Sequence, residues 1–396
     1  MAKKTQVDRF WEVRERDDLG SVQRALSNAV LTPLVCKALD RPSVEVLDWQ
    51  CQSLKKGMGG GQLFKVSGTA RDNGQIQDWS LVLKTLLRET ATQCLSEYDW
   101  QREALTYRSG LLNGLQGGLE PATCYALEGR SEGEIWMWLE DLSGVPDAPW
   151  SLERYALAAR HLGQFNGHYL QQSLPDYPWL VRTFERQAMH RDGNIERYRQ
   201  HKDHPLVGQI IPTERHALLF ALWQRREELL AKLYQRLPQT FAHMDSFRAN
   251  LFSRPSAEGE PTTVAIDWAF TGIGPLGTDV KLLVVHSGYN PAEQIDNSQM
   301  EELDRFAFSS YIDGLRDMGW KGDRRRVRYA YTMITAMSTL RWLSLLTDIL
   351  IDEGKIARVE EIQGRSIDEM IEDRIQRFGF LLDLAEEGLE LDRALF

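Results

Sequence analysis

Four polar side chains that suit phosphoryl transfer lie close together in the sequence. His243, Asp245 and Asn250 stand in the run HMDSFRANLF, and Asp267 follows the apolar stretch VAI in VAIDWAF. Phosphoryl transfer from a nucleotide needs oxygen ligands for a bridging cation, a base for the attacking hydroxyl and a lysine on the phosphates. Mg²⁺ prefers oxygen ligands and takes only one or two carboxylates from protein, which Asn250 and Asp267 could supply. Asp245 lies five residues before Asn250, so one loop could present both, and its carboxylate could accept a hydroxyl proton.

The sequence before this window predicts a small β-rich unit. Three strand-like stretches come first, and GMGGG separates the first two of them. The second and third are joined by DNG, in which Asn73-Gly74 is typical of a hairpin turn. A helical pattern, SEYDWQREALTYRSGLL, and two further strand-like stretches follow. The five predicted strands are VEVLDWQCQSL, QLFKVSGTARD, QDWSLVLKTLL, ATCYALEG and EIWMWLEDL.

From about residue 150 onward the pattern is mostly helical, with apolar residues spaced three to four apart. We therefore predict an α+β, two-lobed protein of three parts. Residues 1–40 form an N-terminal helical extension, residues 41–141 form a small lobe of antiparallel strands plus one helix, and residues 142–396 form a large, mostly helical lobe. A cleft between two such lobes is a common place for a ligand.

Composition limits the partners and the location. The formal net charge of −10 argues against a broad nucleic-acid interface. The charged N-terminus, the lack of a run of about 18 apolar residues and four widely spaced cysteines predict a cytoplasmic protein without a membrane span. Segment 352–396 contains 13 acidic and 6 basic residues. It is either a solvated helix face or a surface that attracts cationic substrates.

The spacing H-x-D-x4-N, followed by a strand that ends in IDW, resembles the aminoglycoside phosphotransferase and choline kinase family. Members of that family are small-molecule kinases with a protein-kinase-like fold. The resemblance implies that Asp245 is the catalytic base, that Asn250 and Asp267 hold Mg²⁺, and that His243 braces the loop. Asp279, in GPLGTDVKLLV, would have a structural role.

The β-rich unit extends this resemblance from about residue 45 to residue 285. Lys84 ends the third predicted strand, where such kinases keep the lysine that contacts the α- and β-phosphates of ATP (or GTP). Glu103, on the following helix, would pair with Lys84. Glu140 lies in WLEDL, which resembles the hinge whose backbone reads the adenine. The glycines of the loop that would cover the phosphates are Gly57, Gly59, Gly60 and Gly61.

Several residues depart from the family pattern. Met244 replaces the usual glycine before the catalytic aspartate, and Phe247 stands where protein kinases usually carry lysine, which argues against a Ser/Thr protein kinase. Arg248 could offset charge on the transferred phosphoryl group or could form a structural ion pair. Trp320 and Trp342 could help to hold a quaternary ammonium group in the acceptor pocket or could pack in the core.

The predicted function is an ATP-dependent transfer of the γ-phosphoryl group to a hydroxyl of a small molecule, with Mg²⁺ as the cofactor. The alternative is a nucleotide-binding pseudokinase that acts as a regulatory module, suggested by the unusual residues around Asp245. A phosphotransferase that modifies cationic antibiotics is a further possibility within the enzyme class. The acceptor, the choice between ATP and GTP and the oligomeric state stay open.

Overall fold

The computed structural model describes residues 19–54, 61–90, 96–145, 149–192, 195–256, 259–286 and 295–396. The first part of the chain builds a five-stranded sheet with helices before and within it. Its elements are α1 (Leu19–Ala25), α2 (Asn28–Leu39), β1 (Glu45–Ser53), β2 (Gln62–Asp72), β3 (Gln75–Leu87), α3 (Arg102–Arg108), β4 (Leu119–Pro121), β5 (Cys124–Ser131) and β6 (Glu134–Glu140). The strand order in the sheet is β1-β2-β3-β6-β5, and every neighbouring pair is antiparallel.

The two faces of this sheet contact different elements. Helices α1 and α2 pack on one face, against Phe64, Val66, Leu81 and Leu83. Helix α3 packs on the other face, near Leu86, Met137 and Leu139. Because side chains alternate along a strand, Lys84 shares the α3 face with Val82 and Leu86. The alternation in LVLK therefore directs this lysine towards the helix that carries Glu103.

The second part of the chain is mostly helical and has two buried cores. Its helices are α4 (Leu152–Leu170), α5 (Phe184–Asp192), α6 (Ile195–His201), α7 (His216–Gln235), α8 (Thr278–Val285), α9 (Met300–Asp317), α10 (Arg324–Leu350), α11 (Glu353–Gln363) and α12 (Ile367–Leu395). One core surrounds α4, α8 and α9, and the other surrounds α6, α7, α10 and α12. Among the described helices none is long and apolar enough by itself to cross a membrane; α10 and α11, which meet at 106°, reach that length and composition only as a bent pair.

Helices α4 and α9 approach each other closely. A Cβ atom at Gly163 would overlap the carbonyl oxygen of Tyr311, and one at Gly314 would overlap that of Arg160. The two glycines therefore let the helix backbones come into contact, which fixes α4 beneath the strands of the catalytic region.

Two small sheets link the helices to residues 243–267, which carry the polar side chains of the predicted site. The first has the order β4-β10-β9 and the second has the order β7-β11-β8. Their remaining strands are β7 (Val181–Arg182), β8 (Gln239–Ala242), β9 (Leu251–Arg254), β10 (Thr262–Ala265) and β11 (Gly272–Pro275). Residues 243–250 join β8 to β9, and residues 266–271 join β10 to β11. Both connections therefore cross from one small sheet to the other at the same junction.

The predicted fold class is confirmed: a small antiparallel sheet with one helix precedes a large, mostly helical lobe. The hairpin predicted at Asn73-Gly74 is present, with positive φ at both residues. The helix predicted over 96–112 is shorter than expected, because α3 spans only Arg102–Arg108. Ser96 donates its hydroxyl to Asp99 in a turn before the helix, and Gly110 has a φ of +76° just after it.

Candidate active site

The loop that carries Asp245 is held by a buried carboxylate from a distant helix. Asp279, fully buried on α8, accepts hydrogen bonds from the backbone N–H groups of His243 (3.1 Å) and Met244 (2.9 Å). Asn166 of α4 donates its side-chain amide to the same carboxylate (3.0 Å), and the Ser246 hydroxyl donates to the Asp279 carbonyl (2.8 Å). These bonds satisfy backbone groups that a buried loop would otherwise leave without partners.

Met244 has a φ of +61°, in the left-handed region that glycine enters freely. Its side chain is buried with Val181 and Ala242, and Phe184 and Phe270 pack beside it. The chain thus keeps a glycine-like backbone at this position while using the side chain for packing. The surrounding hydrogen bonds must offset a conformational cost on the order of 1–2 kcal/mol.

His243 braces the loop through both ring nitrogens. Nε2 lies 2.9 Å from the Ile266 carbonyl oxygen, and the Asp245 backbone N–H donates to Nδ1 (3.2 Å). These partners require a neutral ring with its proton on Nε2. Burial holds the pKa of His243 below its ordinary value, which agrees with that form. His243 therefore connects the Asp245 loop to the segment that carries Asp267.

Asn250 orients Asp245 directly. Its side-chain amide donates to the Asp245 carbonyl oxygen (2.8 Å) and to the carboxylate oxygen Oδ2 (2.9 Å). No described residue donates a hydrogen bond to the Asn250 oxygen Oδ1. The Asn250 side chain thus holds the Asp245 carboxylate through its amide nitrogen.

Lys84 joins the two lobes at the site. Its ammonium nitrogen lies 2.5 Å from Glu103 Oε2 and 2.9 Å from Asp267 Oδ1. Glu103 is almost fully buried, whereas the Asp267 side chain keeps 33% of its surface exposed. One lysine therefore contacts a buried carboxylate on α3 and a more accessible one in the connection between β10 and β11.

The two aspartates have pKa values that move in opposite directions. Burial, together with the nearby charge of Asp267, raises the pKa of Asp245 well above its ordinary value. Burial would also raise the pKa of Asp267, but the Lys84 ammonium outweighs it and lowers that pKa overall. Asp245 is thus the more basic carboxylate, and Asp267 is the one that stays ionised.

The donor set fits a magnesium ion that is shared with a nucleotide. Asp267 offers a carboxylate and Asn250 offers an amide oxygen, both of which are hard oxygen ligands. The described residues hold no group of three or more His, Cys, Asp or Glu side chains that could bind a metal by themselves. A cation here would therefore take its other ligands from phosphate oxygens and water.

The remaining predicted residues lie in different places. Gly57, Gly59 and Gly60 fall outside the described residues. Gly61 comes directly before β2, where a Cβ would lie 3.1 Å from the Thr85 carbonyl oxygen and 3.4 Å from Lys84 Cε. The absence of a side chain at Gly61 therefore leaves room for the lysine.

Glu140, at the end of β6, and Arg248, in the connection between β8 and β9, contact different partners. The Glu140 carboxylate accepts from the Thr123 backbone N–H (3.1 Å) and forms an ion pair with Arg254 of β9. The Arg248 guanidinium lies 4.4 Å from the centre of the Trp150 ring, and it donates to the Leu251 carbonyl oxygen (3.1 Å). These contacts of Arg248 stabilise the turn that carries Asn250.

The sequence did not predict which residues form hydrogen bonds to Asp279 and so help to hold the loop. Both Asn166 and Ser246 contact Asp279; Asn166 stands outside any recognisable motif, and Ser246 is one of the unspecified positions of H-x-D-x4-N. A signal for Asn166 does exist: with His161, it is one of two polar side chains among the mostly apolar buried residues of LERYALAARHLGQFNGHYL. A buried amide on such a face needs a partner from elsewhere in the fold.

A comparison with protein-family models places this chain in a known group. The model of the phosphotransferase enzyme family (APH) matches residues 80–310, which is more than half of the chain, and the chain belongs to this family. It is therefore an enzyme of the phosphotransferase class. This membership confirms the family that was predicted from the H-x-D-x4-N and IDW patterns.

Solved structures similar to the chain include two antibiotic phosphotransferases and an amicoumacin kinase. The amicoumacin kinase, in complex with AMP-PNP, Ca²⁺ and Ami, is 13% identical, with a TM-score of 0.48 over 88% of this chain and 96% of that chain. Spectinomycin phosphotransferase APH(9)-Ia, in complex with ADP and spectinomycin, is 11% identical, with a TM-score of 0.44 over 86% and 93%. Aminoglycoside phosphotransferase APH(4)-Ia is 14% identical, with a TM-score of 0.42 over 91% and 99%. No curated protein matches the chain.

Proposed function

We propose that the chain transfers the γ-phosphoryl group of ATP (or GTP) to a hydroxyl group of a small molecule. The observation that carries this proposal is the contact of Lys84 with both Glu103 and Asp267, next to the loop that presents Asp245. A lysine anchored by a buried carboxylate is a ready partner for anionic phosphates. The same lysine reaches the carboxylate that is proposed to bind the cation.

Lys84 would bind the α- and β-phosphates while Glu103 keeps its ammonium in place. Asp267 and Asn250 would hold Mg²⁺, which supplies positive charge that offsets the negative charge of the phosphates. Since Asp267 stays ionised next to Lys84, it can act as a ligand without first losing a proton. Positioning and charge stabilisation, rather than covalent chemistry, would account for most of the rate.

Asp245 would act on the acceptor. Its carboxylate orients the acceptor hydroxyl and takes the proton as the hydroxyl oxygen forms its bond to the γ-phosphorus. The bond between that phosphorus and the oxygen bridging to the β-phosphate breaks, and its electron pair leaves with the nucleoside diphosphate. A base with a raised pKa holds the transferred proton better than an ordinary carboxylate does.

The test is ADP release from Mg-ATP with a panel of acceptors: amino alcohols, sugars, hydroxy acids, nucleosides and aminoglycosides. Asp245→Asn should reduce acceptor-dependent release by about 10²–10⁴-fold while leaving Mg-ATP binding intact, because it removes only the base. Asp313→Asn, at an exposed ion pair on α9, serves as the matched control. Full turnover in Asp245→Asn would contradict the proposed role. Mg-ATP binding without release for any acceptor would favour the pseudokinase alternative.

A further inference from the structure

A buried arginine at the start of helix α3 ties this helix to the lobe that carries the catalytic loop. Arg102 is 1% exposed, and its Nε donates to the carbonyl oxygen of Trp179 (2.7 Å). Its Nη1 donates to the carbonyl oxygen of Ala269 (2.8 Å). Its Nη2 donates to the Ser96 hydroxyl (2.9 Å) and forms an ion pair with Asp99, both in the turn before the helix. All three nitrogens of the guanidinium therefore have partners.

The two carbonyl groups belong to neighbouring segments of the helical lobe. Trp179 lies two residues before β7, and Ala269 lies three residues before β11. Strands β7 and β11 pair in parallel, with Val181 opposite Gly272. The planar guanidinium holds its N–H groups in a fixed fork, so one arginine can bridge two carbonyl oxygens. Arg102 thus joins α3 to the beginning of both strands at once.

The second of these segments also carries Asp267, two residues before Ala269. Asp267 has a φ of +60°, in the left-handed region, and a short helical turn, Trp268–Phe270, follows it. Helix α3 packs directly on this turn. Burial raises the pKa of Glu103, whereas the Trp268 backbone N–H is among the groups that lower it. Two consecutive residues of α3 therefore interact with the backbone of consecutive residues just after the proposed metal ligand.

Helix α3 is too short to keep a fixed position by itself. It spans seven residues, whereas isolated helices shorter than about 12–15 residues are marginal in water. The residue before it, Gln101, makes no side-chain capping hydrogen bond. Near its other end, Tyr107 donates its hydroxyl to the Ala122 carbonyl oxygen of the small lobe (3.0 Å). The position of the first turn relative to the helical lobe therefore depends on tertiary contacts, to which Arg102 contributes two hydrogen bonds.

The first turn of α3 also presents the carboxylate that holds the phosphate-binding lysine. Glu103 Oε2 lies 2.5 Å from the Lys84 ammonium, which contacts Asp267 at 2.9 Å. Burial would lower the pKa of Lys84, but the charges of Asp267 and Glu103 outweigh it and raise that pKa. A shift of α3 by about 1 Å would take the contact between Glu103 and Lys84 beyond the usual range of a hydrogen bond. The environment of the lysine thus depends on where the helix lies.

We propose that Arg102 is a positioning residue of the nucleotide site, which docks α3 on the segment after Asp267 and so keeps Glu103 against the phosphate-binding lysine. This inference rests on the proposed phosphotransferase function and assigns to its site a residue whose role no motif indicates. Arg102 acts through Glu103 and not by contact with the nucleotide. The Asp245 loop is held separately by Asp279, so loss of the arginine should affect the nucleotide more than the acceptor.

The first experiment measures the reactivity of Lys84 in the full chain without nucleotide. Arg102→Lys keeps a cation beside Asp99 but replaces the planar fork with a point charge that cannot bridge both carbonyl groups. When α3 shifts, the ammonium form of Lys84 loses stabilisation, and the amine should be acetylated faster by about tenfold or more. Mass spectrometry follows acetylation by acetic anhydride residue by residue, with the exposed pair partner Lys202 as the internal reference.

Two matched variants separate this role from general stabilisation. Arg328→Lys removes another largely buried guanidinium, which binds Asp304 and Glu387. It should lower the free energy of unfolding but leave the acetylation rate of Lys84 unchanged. Ser96→Ala removes the hydrogen bond to the turn and keeps both carbonyl bonds, so it should also leave this rate unchanged.

Nucleotide affinity gives the second readout. Arg102→Lys should weaken the binding of Mg-AMP-PNP, measured by calorimetry, by about tenfold or more, because a displaced lysine loses a charge-assisted hydrogen bond to the phosphates. In steady-state kinetics the KM for Mg-ATP should rise while the KM for the acceptor stays unchanged. A general loosening of the fold would move both constants together.

An unchanged acetylation rate of Lys84 in folded Arg102→Lys protein would overturn the inference. An equal rise in Ser96→Ala and Arg328→Lys, or an equal change in both KM values, would overturn it as well. If Arg102→Lys does not fold, the same rate is measured on the double variant Arg102→Gln with Asp99→Asn, which removes both charges of the buried pair. The acetylation rate needs no nucleotide, so it decides the docking role by itself. Failure of the wild-type protein to bind Mg-AMP-PNP would instead contradict the proposed function.

Discussion

Asp245 and Asp267 show how one site gives two aspartates different properties. Both are partly buried, but Lys84 contacts Asp267 and the Asn250 amide contacts Asp245. A full positive charge lowers the pKa of a neighbouring carboxyl group, whereas an uncharged amide offsets only part of the rise in pKa that burial causes. The residue beside the lysine is therefore suited to hold a cation, and the residue beside the amide is suited to accept a proton.

The raised pKa of Asp245 predicts the pH dependence of turnover. A base must be deprotonated to act, so kcat/KM should fall as the pH drops through this raised pKa. The acid limb of the profile should thus lie clearly above pH 4, near which an ordinary aspartate titrates. Steady-state kinetics between pH 4 and 9 would measure it, with the Asp313→Asn variant run in parallel. An acid limb at or below about pH 4 would mean that burial does not control this carboxylate.

Lys84 has a structural effect as well as its proposed role with the phosphates. Lys84→Met would leave the buried Glu103 without its cation, which should cost about 3–5 kcal/mol in the free energy of unfolding. The double change Lys84→Met with Glu103→Gln should recover part of this loss, because it also removes the buried charge. Denaturant unfolding of both variants measures the difference. Lys202→Met, at an exposed pair with Asp203, should change stability little. Equal stability of the single and double variants would contradict the coupling.

At the scale of elements, the catalytic loop depends on α8. Asp279 reaches across from that helix to two consecutive N–H groups of the loop, and Asn166 of α4 reaches the same carboxylate. The loop is thus shaped by two helices that lie far from it in the sequence. We therefore expect a substitution at Asp279 or Asn166 to alter the position of Asp245, although neither residue is proposed to contact the substrate.

Asp279→Asn tests this dependence. The new side chain would place an N–H₂ group against N–H donors, so at least one buried donor would lose its acceptor at a cost of about 1–3 kcal/mol. We expect lower stability and a lower kcat, with little change in the KM for nucleotide, since Lys84 and Glu103 are untouched. Thermal unfolding and steady-state kinetics give the two readouts. Normal kcat in a folded Asp279→Asn protein would show that the loop keeps its shape without this carboxylate.

Elements with a local signal could be predicted, and contacts between distant elements could not. The alternation in QLFKVSGTARD predicted β2 to the residue, and the spacing in LERYALAARHLGQFNGHYL predicted α4. The order of Lys84, Glu103, Asp245, Asn250 and Asp267 indicated the site through family resemblance. The left-handed backbone of Met244 depends on bonds to Asp279, and the buried ammonium of Lys281 donates to Ser338 of α10, 57 residues further along the chain. Neither of these long-range contacts produces a periodic pattern of residues in the segment that makes it.

At the scale of the whole molecule, charged contacts add to the strand pairing and core packing that join the two lobes. Lys84 of β3 contacts Asp267, and Arg254 of β9 contacts both Glu120 (2.8 Å) and Glu140 at the end of β6. They help to hold the sheet next to the catalytic loop.

Arg254→Met should therefore affect the nucleotide more than the stability. Each partner is partly exposed, so the expected loss of stability is only about 0–1 kcal/mol. The KM for ATP should rise because the end of β6 loses the contact that fixes it to β9. Nucleotide titration and unfolding measurements on the same protein separate the two effects. Arg130→Met, at an exposed pair on β5, is the control. An unchanged KM would show that the hinge is positioned by backbone pairing alone.

The pairing of β3 with β2 and the packing of α10 have a practical consequence for dissecting this protein. The family match begins inside β3 and ends inside α9, so the matched range is shorter than the sheet and the helical cores that it crosses. An excised fragment of residues 80–310 would lose two of the five strands, and it would lose the helix that supplies Ser338 to Lys281. The apolar faces exposed by this removal would make the fragment more prone to aggregate than to fold as an independent enzyme. Strands β1 and β2 and helices α10 and α12 are thus part of the unit that folds, and an exchange of the matched range between relatives would have to include them.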